Sequence, residues 1–171
     1  NRILNLKESV GIKIEGAKNL IANNFINIAG IGLAKGIEIN TGSNLSKIIH
    51  NSINITSNHK DGRALEINNS DSLMVWNNIF CNKGNDYTNA GIGYYAVYFN
   101  TYHQGILKEW YKNSYYSSTN KIGFLNNVDY SDVVSLNQPY PNGIGGSDWG
   151  VYNPYFASDI DLRPYQRYLN G

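Results

Sequence analysis

Apolar and polar residues alternate along this chain in short stretches. In Gly11-Ile-Lys-Ile14, Gly36-Ile-Glu-Ile39, Ala64-Leu-Glu-Ile67 and Ala96-Val-Tyr-Phe99 every second residue is apolar. Ile12 and Ile14, Ile37 and Ile39, Leu65 and Ile67, and Val97 and Phe99 therefore face one way. Lys13, Glu38, Glu66 and Tyr98 face the other. The pattern predicts half-buried strands. Each is followed by a second strand-like segment broken at asparagine: Ile21-Ala-Asn-Asn-Phe25, Ile49-His-Asn-Ser-Ile53, Val75-Trp-Asn-Asn-Ile79 and Tyr111-Lys-Asn-Ser-Tyr115. Asparagine tolerates left-handed backbone angles and bonds neighbouring backbone groups, so the chain is expected to bend there. The one helical candidate is Tyr130–Asn137, with Ser131 as its N-cap.

These paired segments recur four times. Asn23, Asn51, Asn77 and Asn113 mark the register, about 26 to 36 residues apart, which is a solenoid period. Two or three short strands per turn, stacked at ~4.8 Å, make an all-β parallel β-helix of about four to five coils. Like residues then lie above like, and the four asparagines form a structural ladder in which each amide bonds the next.

Coils of the type G-I-x-I followed by I-x-N-N-x-I resemble the right-handed parallel β-helix repeats of pectate-lyase-like proteins, over about residues 3 to 117. The tail, with Asn113–Asn120, Tyr130–Val134 and Asn153–Leu162, is similar to the closing segment of large secreted or surface β-helix proteins of Bacteroidota-type bacteria. The resemblance implies coils over residues 1–117 and a Tyr-rich cap with one short helix over residues 118–171 of the same domain. That superfamily holds lyases, hydrolases, tailspikes, adhesins and scaffolds, so function has to come from the site.

Composition narrows the partners. The net charge is +1 with scattered lysines and arginines, which offers no footprint for nucleic acid. No apolar run is long enough to span a bilayer. Cys81 is the single cysteine, which excludes an intrachain disulfide, and its place in Ile79-Phe-Cys-Asn82 suggests a buried, inert thiol. The opening Asn1-Arg-Ile-Leu-Asn-Leu6 already alternates like a strand and lacks an initiator Met, so the chain reads as part of a longer polypeptide. All fourteen tyrosines lie from Tyr87 onward, which separates an aliphatic first half from an aromatic second half.

Candidate chemistry centres on the outward face of the first strand column. Lys13, Glu38, Glu66 and Tyr98 should form one row, with Glu15, Asn40, Asn68 and Asn100 two residues on. Stacked Glu38 and Glu66 with Arg63 nearby are the catalytic candidates for a lyase or hydrolase, and such a carboxylate pair could hold Ca²⁺. Pairing of Lys13 with Glu38, and of Arg63 or Lys35 with Glu66, would instead make an ordinary charge ladder. No zinc-type metal motif is present, since His50, His59 and His103 are spread along the chain. Gly143-Ile-Gly-Gly146 lacks the lysine of a phosphate loop.

Tyr94, Tyr98, Tyr102 and Trp110 fall in or beside the two longest loops, with Tyr87 nearby, and His59 and Lys60 lie in the loop Asn58–Arg63. Together they are candidate ligand-binding residues, because aromatic rings with polar tips suit sugars; the same rings could also cap the end of the stack. The expectation is a secreted or outer-cell-surface bacterial module that binds polysaccharide or a cell-envelope component, or serves as a structural or adhesive surface. A calcium-assisted polysaccharide lyase or glycoside hydrolase is the alternative.

Overall fold

The computed structural model describes residues 1–7, 9–84, 93–103, 105–137, 156–158 and 161–164. Tyr87 and Gly143–Gly146 lie outside these residues. The alternating aliphatic stretches form strands, and their order repeats. It begins with β1 (Arg2–Leu6), β2 (Ser9–Ile14), β3 (Leu20–Ala22) and β4 (Phe25–Ile28). Then come β5 (Ala34–Ile39), β6 (Lys47–Ile49) and β7 (Ser52–Ile55), followed by β8 (Arg63–Ile67), β9 (Leu73–Trp76) and β10 (Ile79–Asn82). The last full repeat is β11 (Tyr95–Phe99), β12 (Leu107–Tyr111) and β13 (Ser114–Ser117). Beyond it lie β14 (Gly123–Leu125), β15 (Val128–Tyr130), α1 (Val133–Asn137), β16 (Phe156–Ser158) and β17 (Asp161–Pro164).

From β1 to β11, every strand pairs in parallel with the strand three places on. Three sheets result: sheet A is β1-β4-β7-β10-β13, sheet B runs from β2 through β5, β8 and β11 to β14, and sheet C is β3-β6-β9-β12. The register stacks like on like. Ile12, Ile37, Leu65 and Val97 follow one another across sheet B, and Ile26, Ile53, Phe80 and Tyr115 across sheet A. Inward residues of the three sheets meet in one continuous core.

The leading glycine of each G-I-x-I motif has a steric reason. A Cβ on Gly36 would lie 2.3 Å from Ile53 Cγ2 and 2.5 Å from the Ala64 carbonyl oxygen. Sheets A and B are in close contact here, and alanine follows at this strand position as Ala64 and Ala96.

Two columns of left-handed residues bracket sheet C. Lys18, Leu45 and Ser72 precede its strands, with φ of 61°, 58° and 55°. Asn23, His50, Asn77 and Lys112 follow them, with φ of 57°, 55°, 56° and 55°. His50 thus shares its column with Asn23, Asn77 and Lys112. Asn23 and Asn77 consequently do not belong to the ladder that the spacing predicts for them. The ladder runs one residue later, through Asn24, Asn51, Asn78 and Asn113, at separations of 27, 27 and 35 residues. Nδ2 of Asn24 donates to Asn51 Oδ1 at 2.9 Å, Nδ2 of Asn51 to Asn78 Oδ1 at 3.0 Å, and Nδ2 of Asn78 to Asn113 Oδ1 at 3.0 Å. Buried amides are thereby satisfied at every bend.

At the far end β15 pairs antiparallel with β14. Helix α1 follows, with Leu136 packed over Gly123. Its N-cap is Asp132, whose Oδ1 accepts from Ser135 N at 2.7 Å, in place of the predicted Ser131. That bond is the main reason the Asp132 carboxyl is held below its usual range. The short β16-β17 hairpin brings β17 back beside β4 and β7. Asn27, Asn54 and Cys81 stand in register across sheet A and all three are buried. Burial pushes the Cys81 thiol up to about 12. Among the described residues no helix is long and apolar enough to cross a membrane.

Candidate functional site

The parallel register of sheet B aligns the outward residues of β2, β5, β8 and β11. Lys13, Glu38, Glu66 and Tyr98 stand in one row, as the alternation predicts. A second lysine enters from the start of β5. Lys35, three residues before Glu38 on the same strand, donates from Nζ to Glu38 Oε1 and to Glu66 Oε1, the latter at 2.8 Å. The three side chains retain only 15%, 12% and 8% of their exposure. Glu66 also accepts from Asn100 Nδ2 at 3.0 Å.

Burial by itself would lower the Lys35 pKa, but the hydrogen bonds and charges of Glu38 and Glu66 together outweigh it and raise the value above 10.5. The folded state thus holds this proton more tightly than the unfolded chain does. Its stabilising contribution is complete below pH 10.5 and is lost as pH rises through the raised value. The urea midpoint is expected to fall above pH 10.5 more steeply in the native chain than in Lys35→Met. Equal slopes in the two chains would remove Lys35 as the cause.

Arg63 is committed to packing. Its Nη1 donates to the carbonyl oxygens of Lys60, Gly62 and Gly93 at 3.0, 2.8 and 3.1 Å. The guanidinium carbon lies 4.9 Å from the Tyr95 ring centroid and 4.4 Å from that of Tyr98, within cation–π range. Burial lowers its pKa. Glu38 and Glu66 are therefore neighbours on one sheet, Arg63 opens strand β8 instead of closing the expected loop, and each is tied into the protein's own contacts. Among the described residues no three His, Cys, Asp or Glu side chains group as a metal would require.

The row two residues on is more open. Asn40 Nδ2 donates to Glu15 Oε1 at 3.2 Å, Asn68 Nδ2 to Asn40 Oδ1 at 3.0 Å, and Asn100 Nδ2 to Asn68 Oδ1. These amides form an external ladder in which every donor points toward Glu15. Glu15, Asn40, Thr41 and Asn68 line an open concavity of about 440 Å³. Hydrogen bonding from Lys13, 2.7 Å away, holds the Glu15 carboxyl below its ordinary value, and Glu15 in turn raises Lys13. Thr41 was not expected here; it extends the row because it follows Asn40 directly into the turn.

The aromatic candidates do not make an exposed platform. Tyr94 and Trp110 are each only 1% exposed. Trp110 Nε1 donates to Tyr115 Oη at 2.5 Å, and Tyr94 Oη donates to the Asn58 carbonyl at 3.0 Å. Tyr102 packs against Phe99 at 6.4 Å, nearly perpendicular. Tyr98 is half-buried and stacks on Phe124 at 4.6 Å. Tyr94 and Trp110 thus point inward, while Tyr98 and Tyr102 stay half-buried against Phe124 and Phe99. In the preceding loop, His59 Nδ1 accepts from the Asp61 amide at 3.1 Å, while Lys60 is exposed.

Comparison with protein-family models, with curated proteins and with solved structures gives no match. The functional reading therefore rests on geometry alone.

Proposed function

We propose that this chain is a stretch of right-handed parallel β-helix from a secreted or cell-surface bacterial protein, and that the outward face of sheet B binds polysaccharide. The fold reading is supported by the uniform three-place pairing and by like residues stacked in columns. The observation that carries the binding reading is the external amide row beside the open concavity. Asn40 and Asn68 each use one of two amide N–H groups within the row. The remaining donors recur at the strand spacing of ~4.8 Å, comparable to the length of one sugar in an extended chain. With the Thr41 hydroxyl and the Glu15 carboxylate, they offer donors and acceptors to a hydroxyl-rich ligand.

Affinity electrophoresis against a panel of neutral polysaccharides tests the reading. The native chain is retarded by at least one of them, and the double substitution Asn40→Ala with Asn68→Ala weakens that affinity at least tenfold, about 1.4 kcal/mol. Unchanged mobility in every gel, or equal retardation of the double variant, removes the proposal. Chain cleavage in the same gels, abolished by Glu66→Gln, would favour a lyase or hydrolase acting through Glu38, Glu66 and Arg63.

A further inference from the structure

Sheet C has an outward face that the amide row does not use. Its inward column, Ile21, Ile48, Val75 and Trp110, belongs to the core. Two outward columns remain. The first is Leu20, Lys47, Met74 and Glu109, and the second is Ala22, Ile49, Trp76 and Tyr111. Lys108 sits exposed at the irregularity between Leu107 and Glu109. The left-handed columns add exposed Lys18 on one border and exposed His50 and Lys112 on the other.

The charge on this face is one-sided. Lys18, Lys47, Lys108 and Lys112 are all exposed, and among the described residues none of them forms an ion pair. Glu109 is the one acid on the strands themselves, and Asp71 at the border faces His103 at 3.4 Å. Elsewhere Lys13, Lys35 and Lys121 are each matched with a carboxylate, while exposed Lys7 and Lys60 stand singly in separate connections. A net charge of +1 therefore conceals a division, with the glutamates of sheet B on one side and unpaired ammonium groups around sheet C. Between those ammonium groups lie half-buried Trp76 and Tyr111, stacked at 5.6 Å and inclined by 3°.

We propose that the outward face of sheet C binds an acidic polysaccharide. Lysines from strands two places apart meet successive carboxylate or sulfate groups, and the stacked Trp76–Tyr111 pair supplies amphipathic ring edges between them. A nucleic acid fits this face less well. The strands and borders of the face carry no arginine, and the two rings cover one another, which leaves no slot for a stacked base. This inference is independent of the amide row on sheet B.

The test uses the whole 171-residue chain against polygalacturonate, heparin, neutral dextran and a single-stranded oligonucleotide. Binding to polygalacturonate or heparin is expected, and whichever binds identifies the acidic group. Affinity should fall severalfold between about 50 and about 200 mM NaCl, because the contacts are exposed. The triple substitution Lys47→Gln, Lys108→Gln and Lys112→Gln should weaken binding at least tenfold, while Lys7→Gln, between sheets A and B, leaves it within twofold. If the triple variant shifts the melting midpoint, the single reversal Lys112→Glu, at a fully external corner, must still weaken binding severalfold. Asn40→Ala with Asn68→Ala should leave binding to the acidic polymer intact, so the two faces can fail separately. The proposal is overturned by binding to neither acidic polymer, by equal binding to dextran, by equal loss in the Lys7→Gln control, or by tighter binding of the oligonucleotide.

Discussion

Replacing Asn51 with alanine should lower stability by roughly 3–5 kcal/mol, the sum of a few stranded buried groups. Asn51 is 1% exposed and sits at the middle of the internal ladder. Its Oδ1 accepts from both the backbone N and Nδ2 of Asn24, at 3.1 and 2.9 Å. Its Nδ2 donates to the carbonyls of Ile21 and Ile49 and to Asn78 Oδ1, at 3.0, 3.1 and 3.0 Å. Alanine leaves the Asn24 amide and the Ile21 carbonyl without those partners where water does not reach, and each such group costs about 1–3 kcal/mol. A urea titration reads this as a lowered midpoint with an unchanged slope. The neighbouring Asn77→Gly is the control, since glycine accepts φ of 56° and should change stability by less than about 1 kcal/mol. If both substitutions destabilise equally, the bend conformation and not the ladder is what holds the repeats together.

The second large effect is expected at Gly36. A valine there places its Cβ 2.3 Å from Ile53 Cγ2 and 2.5 Å from the Ala64 carbonyl oxygen. A flexible side chain can turn aside; a strand carbonyl held in a parallel ladder cannot. Strand β5 must therefore shift against its neighbour β8 as well as against sheet A, and overpacking of this kind costs about 3 kcal/mol, near the upper end for such changes. Thermal unfolding of Gly36→Val should show a clear drop in midpoint, whereas Gly16→Ala, with nothing within 4 Å of its added carbon but φ of 85°, tests left-handed strain alone. A Gly36→Val chain that melts with the native protein would mean that sheets A and B are not in close contact at this position.

The strand rows were legible because alternation is a two-residue signal that sheet pairing preserves. Lys13, Glu38, Glu66 and Tyr98 stand in register for that reason. The ladder was legible in kind but not in phase. Asn23-Asn24 and Asn77-Asn78 are doublets, and asparagine suits both a left-handed corner and a buried amide stack, so composition does not say which member does which. His50-Asn51 and Lys112-Asn113 hold the answer, because only the second residue of each pair can continue an amide ladder. Trp110 was misplaced for a different reason: the irregularity between Leu107 and Glu109 shifts the phase of β12, and an aromatic residue beside a long loop turned inward. The pairing of Lys35 with Glu66 was legible as a rung of a charge ladder; the register adds Glu38 to the same lysine and leaves Lys13 paired with Glu15 in place of Glu38.

The three-place pairing also determines how the molecule resists being pulled. Strand-to-strand hydrogen bonds run along the direction in which repeats succeed one another, so tension on that line meets them one row at a time instead of all at once. Each yielded row frees a repeat of 27 residues, such as that between Asn24 and Asn51, and releases about 90 Å of extended chain. Force spectroscopy would record a staircase of near-equal steps, with its largest spacing where the longer repeat from Asn78 to Asn113 gives way.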